Sequence, residues 1–461
     1  MNITESDIKS LVKEGNDKEL CFLLLYRVLE EGAYSNLVLK QADRFAHETG
    51  GSIARVRAFL YGTVTYLYSI DFLLKHITKK DTAEMDPEVR TIIRLGAWEI
   101  LFSTATPDYA ACSTSVDVIK KYRPEAAGFV NAILRKLASA PAEQKELNNY
   151  KPEIITSLKP EIFGLLKKAY GREGALSIGK AFLLPSKISL RFNPKKISKE
   201  TLRINLEAEG FEVSGSDFIP ESLKLLSGLN GLQSSEVFKR GDFFVQSEAA
   251  MLAGIIAEPK ASMKILDCCA APGGKSTHMA EICGDDCSII STDISESRIG
   301  LIEENIKRLG LRSIKTMQMD ATDMSVLADR SFDLVLADVP CSGLGLLGRK
   351  PDIREQIRFE DIQTLLPVQA AILSEAASKV KAGGSLVYCT CTLNPDENRG
   401  QIDRFLAEHN DFETCDISSV VPHELIVDEE RKEDLSSGNI TLRPDIDGTD
   451  GFYICKMIRR R

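Results

Sequence analysis

The sequence predicts a multidomain protein in which an all-helical region and a small α+β region precede a doubly wound α/β domain. Two observations carry this prediction. Apolar residues recur with helical spacing through residues 1–140, and strand and helix patterns alternate from residue 263 to the end. The chain has 461 residues, enough for two or three domains of roughly 100–200 residues each.

Residues 1–140 carry the helical pattern. Glu19 to Leu29 places leucines three and four residues apart, and Ile53 to Leu74 continues a longer apolar pattern. Pro87 suits the first turn of a helix that runs to Phe102, because the amide hydrogen that proline lacks is not needed there. Glu125 to Leu137 is predicted to be the last helix of this region.

A helical linker region over residues 141–186 and a small α+β subdomain over residues 187–262 are predicted next. In the subdomain, Lys187 to Phe192 alternates apolar and polar residues as a strand does. Thr201 to Glu209 has helical spacing, and Gly210 to Val213 resembles a second strand. This mixture of elements is what suggests a separate subdomain.

Five short apolar segments alternate with helical patterns in the last region, residues 263–461. They are Lys264–Asp267, Ser288–Asp293, Ile314–Met319, Phe332–Asp338 and Ser385–Thr390. Such alternation predicts a parallel sheet with helices on both faces, in which ligands bind beyond the carboxyl ends of the strands. Aspartates and cysteines gather at those predicted ends, which indicates a catalytic domain: Asp267, Asp293, Asp320, Asp338, Cys341 and Cys391.

The stretch from Asp267 to Lys275 is predicted to be a tight turn between a strand and a helix that covers Ser276 to Ile282. Gly273 and Gly274 let a ligand approach the backbone, and the helix start offers free amides. The turn therefore predicts a nucleotide-like ligand. It is not a P-loop, because Cys269 stands where the first glycine of that motif belongs. The dinucleotide-binding glycine fingerprint is also absent.

The other strand-end residues allow two interpretations each. Asp293 can accept hydrogen bonds from both ribose hydroxyls, or it can cap the helix that follows. Asp320 is placed to meet an adenine amino group, or to form a turn. Cys341 and Cys391 could be buried structural cysteines, but two thiols beside Asp338 and a cofactor turn favour chemistry. Glycines after Cys341, at 343 and 345, predict an open loop.

Composition bounds the class of protein. The net charge is −9, which argues weakly against a nucleic-acid partner, although local patches decide such contacts. The 11 cysteines include no C-x-x-C pair, and Cys283 and Cys287, four positions apart, do not suffice for a zinc site, so we expect no metal. Their scattered positions indicate a reducing compartment and a cytoplasmic protein. No apolar run reaches the roughly 20 residues of a membrane helix, and the first residues lack a signal-peptide pattern.

Several stretches resemble the RsmB/Sun-type ribosomal RNA cytosine-5 methyltransferases of the Nop2/Sun family. They are Asp267–Lys275, Asp338–Gly343, Tyr388–Asn398 and Gly448–Tyr453. Asp86–Leu101 and Phe129–Leu137 resemble the NusB-like RNA-binding domain of that branch. The resemblance covers nearly the whole chain. It implies a NusB-like bundle followed by a Rossmann-like class I methyltransferase domain with a mostly parallel seven-stranded sheet.

The resemblance implies S-adenosylmethionine as methyl donor and 16S ribosomal RNA, before full subunit assembly, as partner of a monomeric enzyme. Cys391 is the expected nucleophile that adds to carbon 6 of cytosine. Cys389, two residues earlier on the same strand face, competes for that role. Asp338 is expected to bind ring nitrogen 3, and Cys341 to assist product release, with water or another base as alternatives for removing the proton. Lys275 is expected to polarise the site or bind substrate.

The predicted donor-binding residues lie in the glycine turn and at the neighbouring strand ends. They are Cys269, Ala270, Ala271, Pro272, Gly273, Gly274, Lys275, Asp293, Arg298, Asp320 and Asp338. Arg191, Arg349 and Lys350 are candidate RNA contacts. One departure from the family pattern is Thr392, where serine usually follows the nucleophile.

The sequence leaves other functions open. A transfer RNA could be the substrate, since relatives of this branch modify transfer RNA. The chain could instead be a ribosome-assembly RNA-binding protein that no longer turns over, although both cysteines are present. A nucleotide hydrolase is weakened by the broken P-loop.

Overall fold

The computed structural model describes residues 1, 3–227 and 231–461. Its residues divide into two compact units. The first comprises Met1–Pro185 and Leu347–Gln356, and the second comprises Ser186–Leu346 and Ile357–Arg461. The finer division into four regions remains a prediction.

The helices follow one another along the chain in this order: α1 (Glu5–Glu14), α2 (Asp17–Leu29), α3 (Ser35–Thr49), α4 (Ala54–Thr65), α5 (Leu67–Thr78), α6 (Pro87–Phe102), α7 (Asp108–Tyr122), α8 (Ala127–Ala138), α9 (Ala142–Lys145), α10 (Pro152–Ile155), α11 (Pro160–Ala181), α12 (Lys199–Ala208), α13 (Glu236–Lys239), α14 (Glu248–Ile256), α15 (Gly274–Ile282), α16 (Glu296–Leu309), α17 (Ile353–Gln356), α18 (Phe359–Lys379), α19 (Arg399–Glu408), α20 (Glu429–Ser436) and α21 (Pro444–Asp447).

The strands all lie after residue 187. They are β1 (Ile188–Phe192), β2 (Glu212–Gly215), β3 (Ser222–Ser227), β4 (Phe243–Val245), β5 (Lys264–Cys268), β6 (Ser288–Asp293), β7 (Ile314–Gln318), β8 (Phe332–Asp338), β9 (Val380–Thr390), β10 (Phe412–Thr414), β11 (Asn439–Leu442) and β12 (Phe452–Arg459) within the described residues.

The first unit is built from helices, as the apolar spacing predicts. Its central helix α2 is buried over most of its surface, and it packs with α4, α6 and α7 around one apolar core. The single long pattern from Ile53 to Leu74 forms two helices, because the backbone leaves the helical region at Tyr66. Helix α6 begins at Pro87 and ends at Phe102, as predicted.

The segment Leu347–Gln356 belongs to the first unit although it is flanked by residues of the second. Its Arg354 side chain is 1% exposed. The guanidinium donates hydrogen bonds to three backbone carbonyls, those of Thr156, Ser157 and Phe182. A buried charge with three such partners fixes the segment firmly within this unit.

The second unit contains two sheets. The smaller is antiparallel, with strand order β2-β3-β1-β4, and carries α12 beside it. The larger has the order β10-β12-β9-β8-β5-β6-β7, with β11 paired to β12 as an eighth strand. Strands β5 to β9 are parallel to one another, whereas β12 runs antiparallel to β9, β10 and β11. The sheet is therefore mostly parallel, with seven strands along its main path.

The register of the larger sheet brings the predicted functional residues to one edge. Asp338, the last residue of β8, lies opposite Cys389 of β9, and Asp267 of β5 lies opposite Leu336 of β8. The carboxyl ends of β5, β8 and β9 consequently meet, and the loops that follow them leave from the same edge. These strands are buried on both faces, which is why they are nearly continuous apolar runs in the sequence.

Candidate active site

The glycine turn connects β5 to α15. Gly273 has a φ of +94°, and a β-carbon there would lie 3.0 Å from Cγ2 of Ile302, so both conformation and space require glycine. It is the N-cap of α15, which begins at Gly274, two residues before the predicted start at Ser276. The turn therefore packs closely against α16 on this side, and the helix start leaves backbone amides that a ligand can approach.

Asp267 lies beneath this turn and is fully buried. Its Oδ2 accepts a hydrogen bond from the Ser276 hydroxyl, whereas its Oδ1 has no hydrogen-bond partner among the described residues. Burial raises the pKa of Asp267 to about 7, although the hydrogen bond from Ser276 and the charge of Lys275 oppose the rise. This carboxyl therefore exchanges a proton near neutral pH.

Asp293 ends β6 and ties the turn to the next loop. Its Oδ2 accepts a hydrogen bond from the Ala271 amide at 3.4 Å, and its Oδ1 accepts one from the Ser295 amide at 3.1 Å. Arg298 lies 3.4 Å from Oδ2 and also donates to the Ala271 carbonyl at 3.1 Å. Asp293 and Arg298 thus hold the predicted donor-binding turn against the second strand end.

Asp320 forms a turn, which is one of its two predicted roles. Its Oδ1 accepts hydrogen bonds from both the amide and the hydroxyl of Thr322, at 2.9 and 2.7 Å. The side chain is otherwise exposed at the end of β7. Its contact with an adenine remains a prediction.

Lys275 and Asp338 form an ion pair at the centre of the edge. Nζ of Lys275 lies 2.5 Å from Oδ2 of Asp338 and 5.3 Å from the ring centre of Phe452. Burial by itself would lower the pKa of Lys275, but the adjacent charge of Asp338 overrides it and raises the pKa above its usual value. The lysine therefore remains charged, and the Asp338 carboxylate, 29% exposed, keeps an open side.

Cys389 is fully buried and faces Asp338. Its thiol donates to Oδ1 of that aspartate at 3.5 Å. Burial, and secondarily the charge of Asp338, raise the pKa of Cys389 well above its usual value. A thiol that keeps its proton and is sealed from solvent is a poor nucleophile. Of the two cysteines on β9 and its end, Cys389 thus serves to hold the aspartate.

Cys391 follows the end of β9 and meets Cys341, which follows β8. The two sulfurs lie 3.2 Å apart, and both side chains are half-buried. The hydrogen bond between them, together with burial, raises the pKa of Cys341 well above its usual value. Cys341 is therefore expected to stay protonated, and either sulfur can be the donor in its contact with Cys391. The structure brings together the two thiols that the sequence placed at one cleft.

The loop after Cys341 is closely packed, not open as its glycines suggested. The Gly345 amide donates to the Cys391 carbonyl at 3.0 Å, and the Gly451 amide donates to the Gly345 carbonyl at 2.9 Å. A β-carbon on Gly345 would lie 1.9 Å from the carbonyl oxygen of Gly451. Only glycine permits this approach of three backbone segments around the Cys391 position.

Arg191 was predicted to contact RNA, and the structure shows that this was wrong. The side chain is 1% exposed and pairs with Glu281 at 2.7 Å. It also donates to the Gly274 carbonyl at 2.8 Å and to the Thr277 hydroxyl at 3.0 Å. Arg191 therefore anchors the first turn of α15. These three partners are more than 80 residues away in sequence, so the strand pattern alone could not reveal them.

Glu397 is a further residue of this site that the sequence reasoning missed. It is fully buried and accepts hydrogen bonds from the loop of Cys341 and from the residues after Cys391. The one available signal was its position inside Tyr388–Asn398, a stretch that resembles the family pattern. A charged residue at a turn is ordinarily interpreted as solvent-exposed.

Metal ligands and membrane-spanning helices are both absent from the described part of the chain. Among residues 1, 3–227 and 231–461, no group of three or more His, Cys, Asp or Glu side chains is arranged to hold a metal ion. In the same residues, no helix has the length and apolar character needed to cross a membrane.

Comparison with known proteins identifies the family to which this chain is similar. Residues 254–458 match the model of the 16S rRNA methyltransferase RsmB/F family, and residues 16–139 match that of the NusB family. The chain is 33% identical to the probable ribosomal RNA small subunit methyltransferase B of Bacillus subtilis strain 168, over 97% of this chain and 100% of that protein. It is 30% identical to the protein of the same name from Synechocystis sp. strain PCC 6803, over 95% and 98%.

The fold also matches solved structures. The structure of PH0851 superposes with a TM-score of 0.78 over 99% of both chains, at 24% identity, which shows a shared fold. The likeness of the full-length sequences and the two matched family models agree with the helical unit, the mostly parallel sheet and the glycine turn described above. The chain therefore belongs to the RsmB/F family of 16S rRNA methyltransferases and carries a NusB domain ahead of its Rossmann-like methyltransferase domain.

Proposed function

We propose that this protein methylates carbon 5 of a cytosine in 16S ribosomal RNA, with S-adenosylmethionine as donor and a covalent bond between Cys391 and carbon 6 as intermediate. The main support is the approach of the Cys341 and Cys391 sulfurs to 3.2 Å at the sheet edge where Asp338 ends β8. Carbon 5 of cytosine is a weak nucleophile. Addition of a thiolate to carbon 6 gives an enamine-like ring whose carbon 5 is reactive.

The donor site is the glycine turn with the strand ends beside it. The backbone amides at the start of α15, which begins at Gly274, suit an anionic group such as the carboxylate of the donor's methionine part. Cys269 to Lys275 would hold the methionine part, Asp293 the ribose and Asp320 the adenine, with Arg298 supporting the turn. When bound there, S-adenosylmethionine supplies an electrophilic methyl group.

Cys391 is the proposed nucleophile, and Cys389 is not. The contacts support this choice, since Cys391 is half-buried at the loop edge whereas Cys389 is sealed inside the sheet. The target base must leave its stack to reach Cys391, at a cost of a few kcal/mol. RNA contacts made elsewhere on the protein would offset that cost.

Asp338 is proposed to hold a proton between its carboxyl group and ring nitrogen 3, so that nitrogen 3 takes up this proton as addition of the thiolate places negative charge on the ring. Its open side faces the edge while Lys275 and Cys389 hold its two oxygens. Preorganised groups of this kind need no rearrangement when the charge appears. Lys275 balances the carboxylate and sets its orientation.

Cys341 is proposed to assist release. Its sulfur lies 3.2 Å from the Cys391 sulfur, and we assign its thiol the donation of a hydrogen bond to that sulfur as it departs. In this step the proton leaves carbon 5 for water or another base, and its electron pair forms the carbon 5–carbon 6 double bond. The bond between carbon 6 and Cys391 breaks, and the sulfur keeps that electron pair.

The test compares RNA from cells with and without the gene. Bisulfite sequencing should show one 5-methylcytosine in 16S ribosomal RNA that is lost in the deletion strain and restored by the wild-type gene. The Cys391→Ala variant should not restore it, whereas Cys391→Ala that restored it fully would overturn the nucleophile assignment. Loss of a transfer RNA methylation in place of the ribosomal one would favour the alternative substrate. The monomeric state, the cytoplasmic location and action before subunit assembly remain predictions.

A further inference from the structure

We propose that Glu397 is a positioning residue that holds the Cys341 loop against the end of β9, so that addition and release act on the same bound base. The inference rests on the proposed function, because it assigns roles to the two thiols. Glu397 is fully buried and cannot touch the substrate. It acts through the two loops that bear the sulfurs.

One carboxylate oxygen of Glu397 holds the Cys341 loop. Its Oε1 accepts hydrogen bonds from the backbone amide of Ser342 at 2.8 Å and from the side-chain amide of Gln369 at 3.0 Å. Gln369 also donates to the Pro340 carbonyl at 3.0 Å. The residues on both sides of Cys341 are therefore tied to this oxygen, one directly and one through Gln369.

The other carboxylate oxygen holds the residues after Cys391 to the same loop. Its Oε2 accepts hydrogen bonds from the Ser342 hydroxyl at 2.6 Å and the Asn394 side-chain amide at 3.0 Å. The Thr392 hydroxyl lies 3.4 Å from it and 2.7 Å from the Ser342 hydroxyl. A single buried carboxylate therefore joins the two thiol-bearing segments.

The site requires a carboxylate and not an amide. The Gln369 amide is oriented by Gln401, which donates to its Oε1 at 3.0 Å. The Asn394 amide is oriented in the same way by the backbone N–H of Asp396 at 3.2 Å. Both therefore present N–H groups to Glu397, one to each oxygen. In either orientation, the NH₂ group of a glutamine at 397 would face another donor.

The backbone of Glu397 is itself held to strand β9. Its backbone carbonyl accepts a hydrogen bond from the Tyr388 hydroxyl at 2.7 Å. Cys391 directly follows Thr390, the last residue of β9, and β9 pairs with β12 up to Thr390. The loop of Cys341 has irregular backbone, so it depends more on Glu397 than the end of β9 does.

This asymmetry predicts which step suffers. Without the carboxylate, Cys391 still reaches carbon 6, but Cys341 no longer lies beside the departing sulfur. The step affected is the release step described above. In it the proton leaves carbon 5, the carbon 5–carbon 6 double bond forms, and the bond between carbon 6 and the Cys391 sulfur breaks. The covalent protein–RNA adduct should therefore persist after methylation.

The experiment uses the full-length chain with 16S ribosomal RNA transcribed in vitro and S-adenosylmethionine carrying a labelled methyl group. Glu397→Gln should lower multiple turnover about a hundredfold, the loss that a misplacement of about 1 Å produces. Over the same period, labelled adduct on a denaturing gel should accumulate well above wild type. Glu408→Gln, the same change at an exposed position at the end of α19, should match wild type in both readouts.

Ser342→Ala keeps the experiment decisive if Glu397→Gln fails to fold. It removes one hydrogen bond to Glu397 and leaves the backbone amide in place, so it should shift adduct and turnover in the same directions by a smaller factor. Equal losses of adduct formation and turnover in both variants, without accumulation, would overturn the positioning role and leave only a structural one. Unchanged turnover in Glu397→Gln would overturn it as well.

Two further variants separate this inference from the proposed function. If Cys391→Ala retains turnover, or if Cys341→Ala accumulates no adduct, the chemistry assigned to the thiols is wrong. If those two variants behave as proposed and Glu397→Gln does not accumulate adduct, the inference about Glu397 alone fails.

Discussion

Two buried ion pairs in the second unit differ in how completely they are enclosed. In the Arg191–Glu281 pair the side chains are 1% and 2% exposed, and the arginine makes further hydrogen bonds to Gly274 and Thr277. In the Lys275–Asp338 pair they are 11% and 29% exposed, and the aspartate keeps an open side. The enclosed pair can only support structure, whereas the open pair can meet a substrate.

The difference teaches where a substitution should act. Removing one partner of an enclosed pair leaves an unpaired buried charge and destabilises the fold. Removing Lys275 from the open pair leaves the Asp338 carboxylate, which water can reach, so stability changes less and chemistry changes more. The following predictions test this separation, from the largest expected effect to the smallest.

Asp338→Asn should lower single-turnover methyl transfer by about a thousandfold, roughly 4 kcal/mol in the barrier, because an asparagine cannot pass a proton to ring nitrogen 3 during addition. Radiolabelled methyl transfer to 16S ribosomal RNA measures this loss. Asp333→Asn, at the start of the same strand and paired with Lys381, is the control and should retain activity. Near-normal methyl transfer by Asp338→Asn would show that the Lys275–Asp338 pair takes no part in the reaction.

Arg191→Met should lower the free energy of unfolding by about 3 kcal/mol, because Glu281 is left buried without its cation. Chemical denaturation measures the loss, and replacing Glu281 by leucine as well should recover part of it. Arg203→Met, an exposed arginine paired with Glu200 and Glu207, should cost less than about 1 kcal/mol. Equal losses in the two arginine variants would contradict the distinction between enclosed and exposed pairs.

Asp267, which lies close to Lys275 of the open pair, should make the free energy of unfolding depend on pH. Its folded pKa, raised to about 7 by burial, lies above the ordinary 3.8, so the folded state binds a proton that the unfolded state has lost. Its stabilising contribution is therefore complete below about pH 4 and falls as pH rises toward 7. From pH 5 to pH 7 the loss should be roughly 2 kcal/mol. Urea denaturation should show that slope in wild type and a reduced one in Asp267→Asn.

Lys275→Met should have the smallest effect of the four, about a tenfold loss of turnover, or roughly 1.4 kcal/mol in the barrier. The aspartate keeps its contact with Cys389 but loses the cation that orients it. Steady-state kinetics should place the loss in kcat, with the KM for RNA little changed. A loss confined to KM would indicate substrate binding as the role of Lys275.

Much of the catalytic edge was predictable because parallel strands buried on both faces are continuous apolar runs. Residues 332–338 and 288–293 were predicted with the bounds that the structure has, and their terminal aspartates therefore fell at the correct edge. The approach of Cys341 to Cys391 follows from the same topology, since β8 and β9 are neighbours.

The features that could not be predicted from the sequence depend on contacts between residues that are far apart in the chain. The alternation in β1 predicted a strand, and Ile188, Leu190 and Phe192 do face an apolar core. The opposite face, with Arg191, is covered by residues of α15, which no local pattern reveals. Strand β3 was missed as well, because its long-range pairing with β1 decides its structure.

The segment Leu347–Gln356 has a practical consequence for dissecting the protein. A chain cut at residue 186 would leave the first piece without Arg354, whose guanidinium donates hydrogen bonds to three of its backbone carbonyls. The second piece would carry the Leu347–Gln356 segment without these hydrogen-bond partners. Separately expressed halves should thus complement poorly.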